Sequence, residues 1–67
     1  MGVTPEMAEF EVYKDEDNPQ DFRWRFRANN GEIIADSSEG YIDRDDCEHG
    51  IELMKTQTPN AQVQDLT

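Results

Sequence analysis

Three arginines alternate with three aromatic rings in residues 22–27, which read FRWRFR. In an extended strand, alternate residues point to opposite faces, so Arg23, Arg25 and Arg27 share one face and the rings share the other. Guanidinium groups bind phosphate and aromatic rings stack on bases, so this pattern can serve single-stranded nucleic acid. It can equally form a sheet whose arginines are paired with acids and whose rings lie in the core.

The overall charge disfavours the nucleic-acid interpretation. The chain has 16 Asp and Glu against 6 Lys and Arg, a net charge of −10. A field of that sign repels phosphate backbones and anionic membrane surfaces. The acid-rich, lysine-poor balance is similar to that of halophilic proteins, in which concentrated salt screens the self-repulsion.

The other reactive side chains form no recognisable catalytic or metal site. Cys47 and His49 are the only cysteine and histidine, and two residues apart on a helix they point in different directions. Neighbouring acids disfavour a Cys47 thiolate, and the run DEDNPQD at 15–21 lacks the glycine and distal glutamate of a calcium loop. There is no phosphate loop or nucleophile elbow. We therefore expect no enzymatic activity, no cofactor and no bound metal.

Alternating patterns predict three strands that position the arginines. The segments EFEVYK (9–14) and FRWRFRA (22–28) alternate apolar and polar residues, and EIIAD (32–36) follows a turn signal as the third strand. The acid-rich run at 15–21 is expected to be a solvated connection. Asn30-Gly31 is a strong signal for a two-residue hairpin turn, because both central residues must take positive φ. The three strands are therefore expected to form an antiparallel meander.

The predicted turn fixes which residues of the second and third strands lie opposite each other. The resulting register is Arg25–Asp36, Phe26–Ala35 and Arg27–Ile34. For the first hairpin we assume the register that matches the faces, which pairs Glu11 with Arg25 and Glu9 with Arg27. Opposite-charge pairs across strands contribute roughly 0.2–1 kcal/mol each. Arginines held between acids leave little free positive charge, which favours the sheet-face interpretation.

The second half of the sequence predicts one helix, from about Arg44 to Gln57. Asp43 is the expected N-cap, Pro59 ends the helix, and apolar residues recur at helical spacing, at Cys47, Ile51 and Met54. Residues 61–67 alternate briefly and predict a short fourth strand. Residues 1–8 are expected to be a flexible leader. The expected fold is α+β, with a single domain from 9 to 67.

Order and spacing together resemble a known family. The runs FEVYKD, FRWRFRANNGEIIADSSEGY, CEHGIELMK and VQDLT closely resemble the YegP-like domains, a family of uncharacterised function found in bacteria and archaea. The resemblance covers residues 10–67. It implies three strands, a helix and a final strand, in modules that occur in tandem or as dimers with exchanged C-terminal strands in one continuous sheet. The chain departs from the family at IDRDDCEHG, where relatives are typically lysine-rich.

The size of the chain also points to assembly. A domain of this length buries only about 60% of the surface that its unfolded chain exposes, and its single cysteine allows no internal disulfide. A lone meander also leaves strand edges unpaired. Because the sequence contains one module, we expect a homodimer in which the exchanged segment 61–67 contributes its apolar residues, Ala61, Val63 and Leu66.

Two functions from different classes remain open. The first is a non-enzymatic homodimeric module that docks a protein partner through a sheet face bearing Tyr13, Trp24 or Tyr41. The alternative is a weak nucleic-acid binder that uses Arg23, Arg25 and Arg27 at high salt. A small ligand in a dimer groove is a third possibility without a ligand class. The sequence has no bilayer-spanning apolar run and no signal-peptide pattern, so we expect a cytoplasmic protein that does not bind membranes.

Overall fold

The computed structural model describes residues 7–67, which form three strands, one α-helix and a short 3₁₀ helix. The elements are β1 (Glu9–Lys14), β2 (Phe22–Arg27), β3 (Ile33–Asp36), α1 (Arg44–Gln57) and the 3₁₀ helix (Thr58–Asn60). Positions 1–6 of the predicted leader lie outside the described residues. The predicted α+β architecture of a three-stranded meander followed by one helix is confirmed, and α1 has the predicted bounds.

The strands form one antiparallel sheet in the order β1-β2-β3. In the first hairpin, Glu11 lies opposite Arg25 and Glu9 lies opposite Arg27, so the assumed register is confirmed. The alternation of EFEVYK and FRWRFR fixes this register, because a slip by one residue would move every apolar side chain to the charged face.

The turn between β2 and β3 differs from the predicted one. Gly31 has a φ of 89°, and no other described residue has a positive φ, so Asn30 does not take the conformation that a two-residue turn requires. The Gly31 amide donates to the Ala28 carbonyl at 2.9 Å, and the Ala28 amide donates to the Glu32 carbonyl at 2.7 Å. These bonds define a three-residue loop that closes with glycine in the left-handed region.

The longer loop changes only part of the predicted register. Arg27 lies opposite Ile33 and not Ile34, and an irregularity between Phe26 and Arg27 then restores the predicted pairs of Phe26 with Ala35 and of Arg25 with Asp36. An extra loop residue shifts the pairing by one position and a bulge shifts it back. The Arg25–Asp36 prediction is therefore confirmed, although the turn on which it rested is wrong.

The chain after β3 returns to the sheet before the helix begins. Phe22 and Tyr41 form an antiparallel bridge, with the Phe22 amide donating to the Tyr41 carbonyl at 2.6 Å and the Tyr41 amide donating back at 2.8 Å. Asp43 is the N-cap residue, with extended backbone, but its side chain makes no capping hydrogen bond. The bridge brings the Tyr41 ring beside α1.

The helix covers only part of the apolar face of the sheet. It packs on β1 and β2 and lies farther from β3. Beneath it, the Phe10 ring lies edge-on to Trp24, with centroids 5.7 Å apart, and tilted against Phe26. Among the apolar residues of 7–67, only Trp24 and Cys47 are buried. The core of the single chain is therefore small.

The predicted fourth strand is not formed in the single chain. Residues 61–67, here called the tail, carry no strand and are all exposed, with Val63 fully exposed and Leu66 nearly so. A strand requires a neighbour to complete its backbone hydrogen bonds. The tail leaves the 3₁₀ helix with extended backbone at Ala61 (φ −73°, ψ 137°) and lies against no other strand.

Candidate assembly surface and the arginine face

The outer face of the sheet carries the three arginines predicted from the sequence, and we call it the arginine face. Glu11 lies between two of them. Arg25 Nε donates to Glu11 Oε1 at 2.6 Å, and Arg27 Nη2 donates to the same oxygen at 3.2 Å. Arg27 Nη1 also donates to the Gly31 carbonyl at 2.7 Å. One carboxylate therefore binds two guanidinium groups.

The two arginines change the titration of Glu11. Hydrogen bonds from Arg27 and then Arg25 lower its pKa from 4.5 to about 2, because both favour the charged carboxylate. Asp36, although opposite Arg25, is not among the acids that pair with arginine in residues 7–67. Glu9 forms no ion pair with Arg27 either, because Arg27 reaches diagonally to Glu11.

The third arginine is held by an acid that the sequence analysis assigned to a solvated loop. Asp15 is buried and pairs with Arg23 Nε. Its other oxygen accepts the Asp17 amide at 2.8 Å and the Asn18 amide at 3.2 Å. The Arg23 hydrogen bond is the main cause of a lowered Asp15 pKa. An Asp that precedes a turn by two or three residues often caps the backbone in this way, a local signal that could have identified it.

The arginine face therefore differs from a phosphate-binding surface. Arg23, Arg25 and Arg27 each pair with a carboxylate, and the Arg25 guanidinium lies 4.7 Å from the centre of the Tyr13 ring. That ring is half-buried under the guanidinium instead of open for stacking. The arginines of this face are paired with carboxylates, and the Arg25 guanidinium covers the Tyr13 ring. This arrangement favours the sheet-face interpretation.

The three aromatic residues proposed to dock a partner do not form one exposed face. Tyr13 lies on the arginine face, whereas Trp24 lies on the opposite face beneath α1 and is only 6% exposed. Tyr41 is half-buried beside the helix. Strand alternation places positions 13 and 24 on opposite sides of the sheet, so a partner could contact them only from different sides, and a docking role for any of the three stays a prediction.

A groove runs along the side of α1 beside Trp24, and we call it the helix groove. It has a volume of about 370 Å³ and is lined by Trp24, Tyr41, Gly50, Leu53, Met54, Gln57, Thr58 and Ala61. Gly50 opens its floor: a Cβ there would lie 3.1 Å from the Tyr41 hydroxyl and 3.2 Å from Trp24 Nε1. Trp24 Nε1 is buried and has no hydrogen-bond partner in the part of the chain that the structure describes.

A second groove lies where α1 fails to reach β3, and we call it the β3 groove. It has a volume of about 280 Å³ and is lined by Phe10, Phe26, Ile34, Ala35, Met54, Lys55 and Thr58. The two grooves share Met54 and Thr58, so they meet at the end of the helix. Ile34 and Leu53, which line them, are exposed. Sequence reasoning missed both grooves, because they depend on where α1 lies on the sheet.

The remaining reactive side chains are not brought together. Within residues 7–67, no three His, Cys, Asp or Glu residues are arranged to hold a metal ion. Cys47 is fully buried, and burial followed by the nearby Glu48 carboxylate raises its thiol pKa. His49 is exposed. In the same residues, no helix is long and apolar enough to cross a membrane.

Comparison with known proteins gives consistent matches. The model of the family described as "Domain of unknown function (DUF1508)" matches residues 17–65. UPF0339 proteins of Neisseria meningitidis serogroup B and Methanosarcina acetivorans are 40% and 46% identical over 57 residues, which are 85% of this chain and 96% and 93% of theirs. An NMR solution structure of a protein from Haloferax volcanii is 41% identical, covers 88% of this chain and 95% of its own, and has a TM-score of 0.76.

Proposed function

The chain belongs to the DUF1508 family, and from the geometry of its surfaces we propose that it is a non-enzymatic homodimeric interaction module. In this dimer the sheets of the two copies join into one continuous sheet. The C-terminal tails are exchanged as strands, so that each becomes part of the sheet of the other copy. The observation that carries the proposal is that α1 covers only part of the apolar side of the sheet and leaves large apolar side chains exposed.

The first support is the size of the core. Two buried apolar residues, Trp24 and Cys47, are few for a stable domain, while large apolar side chains of the described residues are exposed. These exposed side chains are Met7, Ile33, Ile34, Ile42, Leu53, Val63 and Leu66. Burial of apolar area is the main favourable term in folding and association, and a small domain has little of it in isolation. A second copy would supply the missing burial.

The second support is the open edge of the sheet. β3 pairs with β2 on one side, and its other side faces no strand of the described chain. Its exposed residues Ile33 and Ile34 offer no charge that would discourage pairing with another strand. The exchanged tail of a second copy would supply a strand that continues the sheet.

The third support is the composition of the tail. In a chain of net charge −10, close approach of two copies is opposed by like charge. The tail AQVQDLT has a single charged residue, Asp65, and exposes Val63 fully and Leu66 nearly fully to solvent. It is therefore a segment that can cross to a second copy at small electrostatic cost.

Sedimentation equilibrium in molar KCl tests the proposal. We expect twice the chain mass of 7.8 kDa for the full chain, and a monomer or an unfolded chain for a variant that ends at Asn60. The matched control is Gln62→Ser with Gln64→Ser, which keeps the apolar tail residues and should remain dimeric. A folded full chain at 7.8 kDa, or a truncated chain with unchanged dimer stability, would refute the exchange.

The nucleic-acid alternative is tested in the same samples. Because each arginine of the arginine face pairs with a carboxylate, we expect no change in the anisotropy of labelled RNA or DNA at low or molar salt. Binding that weakens in Arg23→Gln would support the alternative, since loss of a phosphate contact reduces both affinity and its salt dependence.

A further inference from the structure

We propose that the helix groove is a binding site for a small uncharged amide with an apolar body, whose carbonyl oxygen accepts hydrogen bonds from Trp24 Nε1 and the Tyr41 hydroxyl beside Gly50. The sequence leaves a small ligand without a chemical class, and the lining of the groove supplies one. The site goes beyond the proposed homodimer and does not depend on it, because Trp24, Tyr41 and Gly50 belong to one chain and precede the tail.

The first observation is a buried donor without an acceptor. Trp24 is 6% exposed, and its Nε1 has no hydrogen-bond partner in residues 7–67. Buried polar atoms are nearly always hydrogen-bonded, and a buried indole N–H usually finds an acceptor. Trp24 lines the helix groove, and Nε1 is the atom of its ring that a side chain at Gly50 would meet first. The nitrogen corner of the indole therefore turns toward Gly50 and the floor of the groove.

The second observation is that two donors meet at Gly50. A Cβ at this position would lie 3.1 Å from the Tyr41 hydroxyl and 3.2 Å from Trp24 Nε1, so both polar atoms lie about the length of a hydrogen bond from one point. An oxygen that approaches the bare Cα of Gly50 enters the space between these two donors. A carbonyl oxygen has two lone pairs and can accept from both. Glycine is typical of positions where a ligand comes close to the backbone, and any larger residue would fill the space that the oxygen needs.

The third observation is the charge of the lining. None of the described residues that line the groove has a charged side chain, although the whole chain has a net charge of −10. An anionic ligand would be repelled by the field of the chain and would meet no cationic side chain in the groove. A cationic ligand would meet donors at Gly50 where it needs acceptors. The groove is therefore suited to an uncharged ligand that carries an acceptor.

The remaining lining residues define the rest of the ligand. Leu53 and Met54 contribute apolar surface, and Leu53 is 43% exposed, so an apolar body would remove this surface from water. The exposed Gln57 has an amide oxygen that can accept an N–H of the ligand. The volume of about 370 Å³ is at the small end of the range of ligand sites. It suits a compound of one ring and one amide group.

Nuclear magnetic resonance gives a direct test with benzamide as the probe, because the chain has one tryptophan and hence one indole N–H signal. In molar KCl we expect benzamide to shift this signal downfield and saturably, with a dissociation constant on the order of 1–10 mM for so small a compound. The ring of benzamide should show contacts to the methyl groups of Leu53 and Met54. Benzoate, which has the same shape and a negative charge, should bind about tenfold or more weakly.

Substitutions test the donor and the opening separately. Replacement of the tryptophan by benzothienylalanine exchanges the indole N–H for sulfur and keeps the ring shape. Followed through the methyl signals of Leu53 and Met54, the dissociation constant of benzamide should rise roughly 2-fold to 10-fold, because one hydrogen bond is lost. Gly50→Ala should remove the saturable shift of the indole signal, because the added Cβ lies 3.2 Å from Trp24 Nε1. The matched control Thr56→Ala, which is exposed on α1 and does not line the groove, should bind benzamide as the native chain does. Circular dichroism confirms that each variant is folded.

A saturable shift of the indole signal that Gly50→Ala removes would support the amide site. No saturable shift with benzamide, equal binding of benzoate, or an affinity that benzothienylalanine leaves unchanged would overturn it. Contacts of the indole proton to a water molecule or to another part of the protein, unchanged by benzamide, would also overturn it, because the donor is then already satisfied. These results are independent of the oligomeric state, which sedimentation measures separately, so failure of the amide site and failure of the homodimer are distinguishable.

Discussion

Val63 offers a sharp test of the proposed assembly, because it makes no contribution to the folded single chain. Its side chain is 100% exposed, so Val63→Ala should leave the stability of a monomer unchanged. In the dimer, the substitution removes two methyl-sized groups from the interface. At about 0.8 kcal/mol each this is about 1.6 kcal/mol per chain and about 3 kcal/mol for two tails, so the dissociation constant should rise about a hundredfold.

The assay is sedimentation equilibrium over a range of protein concentrations in molar KCl, with the native chain and Val63→Ala side by side. Gln64→Ala is the matched control, since it lies one position along the tail and points to the other side of an extended segment. We expect the control to change the dissociation constant by less than about threefold.

A single result would refute the reasoning about Val63. If Val63→Ala and Gln64→Ala weaken the dimer equally, or if neither weakens it, the apolar side of the tail is not buried in the interface. Surfaces other than the tail would then have to hold the two copies together.

Two further predictions concern the sheet. The folded pKa of Glu11 is lowered to about 2 from 4.5, so its contribution to stability is present above about pH 4.5 and is lost as the pH falls through about 2. Melting temperatures measured from pH 6 to pH 2 should therefore fall less steeply for Glu11→Gln than for the native chain, and parallel curves would contradict the pairing with Arg25 and Arg27. Gly31→Ala should lower the free energy of unfolding in urea by about 1–2 kcal/mol, because alanine at φ 89° is strained. Asn29→Ala in the same loop should cost less than about 0.5 kcal/mol, and equal costs would show that the left-handed position is elsewhere.

The sequence predicted those parts of the fold that depend on local periodicity. Alternation in EFEVYK and FRWRFR specified the faces and the register of the first hairpin, because apolar side chains must share one side of the sheet. Asp43 and Pro59 marked the bounds of α1: Asp43 has the extended backbone of an N-cap residue although its side chain makes no capping bond, and the missing proline amide acts within one turn. Gly31 marked a positive φ, although in a loop one residue longer than predicted.

The parts that were missed depend on contacts between distant segments. Asp15 lies in an acidic run that is typical of solvated loops, and only its pairing with Arg23 of the next strand makes it buried. The helix groove requires knowledge of where α1 crosses the sheet. The tail has no neighbouring strand within one chain. The alternation of apolar and polar residues in the tail therefore could not identify a strand for it to pair with. The halophilic character suggested by the composition stays a prediction.

The position of the single tryptophan has a consequence for spectroscopy. Trp24 lies where the core meets the helix groove, so the wavelength of its fluorescence emission should respond to unfolding and, in the proposed dimer, to separation of the two copies. A melting curve followed by this emission would combine the two equilibria in one transition. For a dimer, the midpoint of that transition moves upward as the protein is concentrated, and this dependence on concentration distinguishes dissociation from unfolding without any mutation.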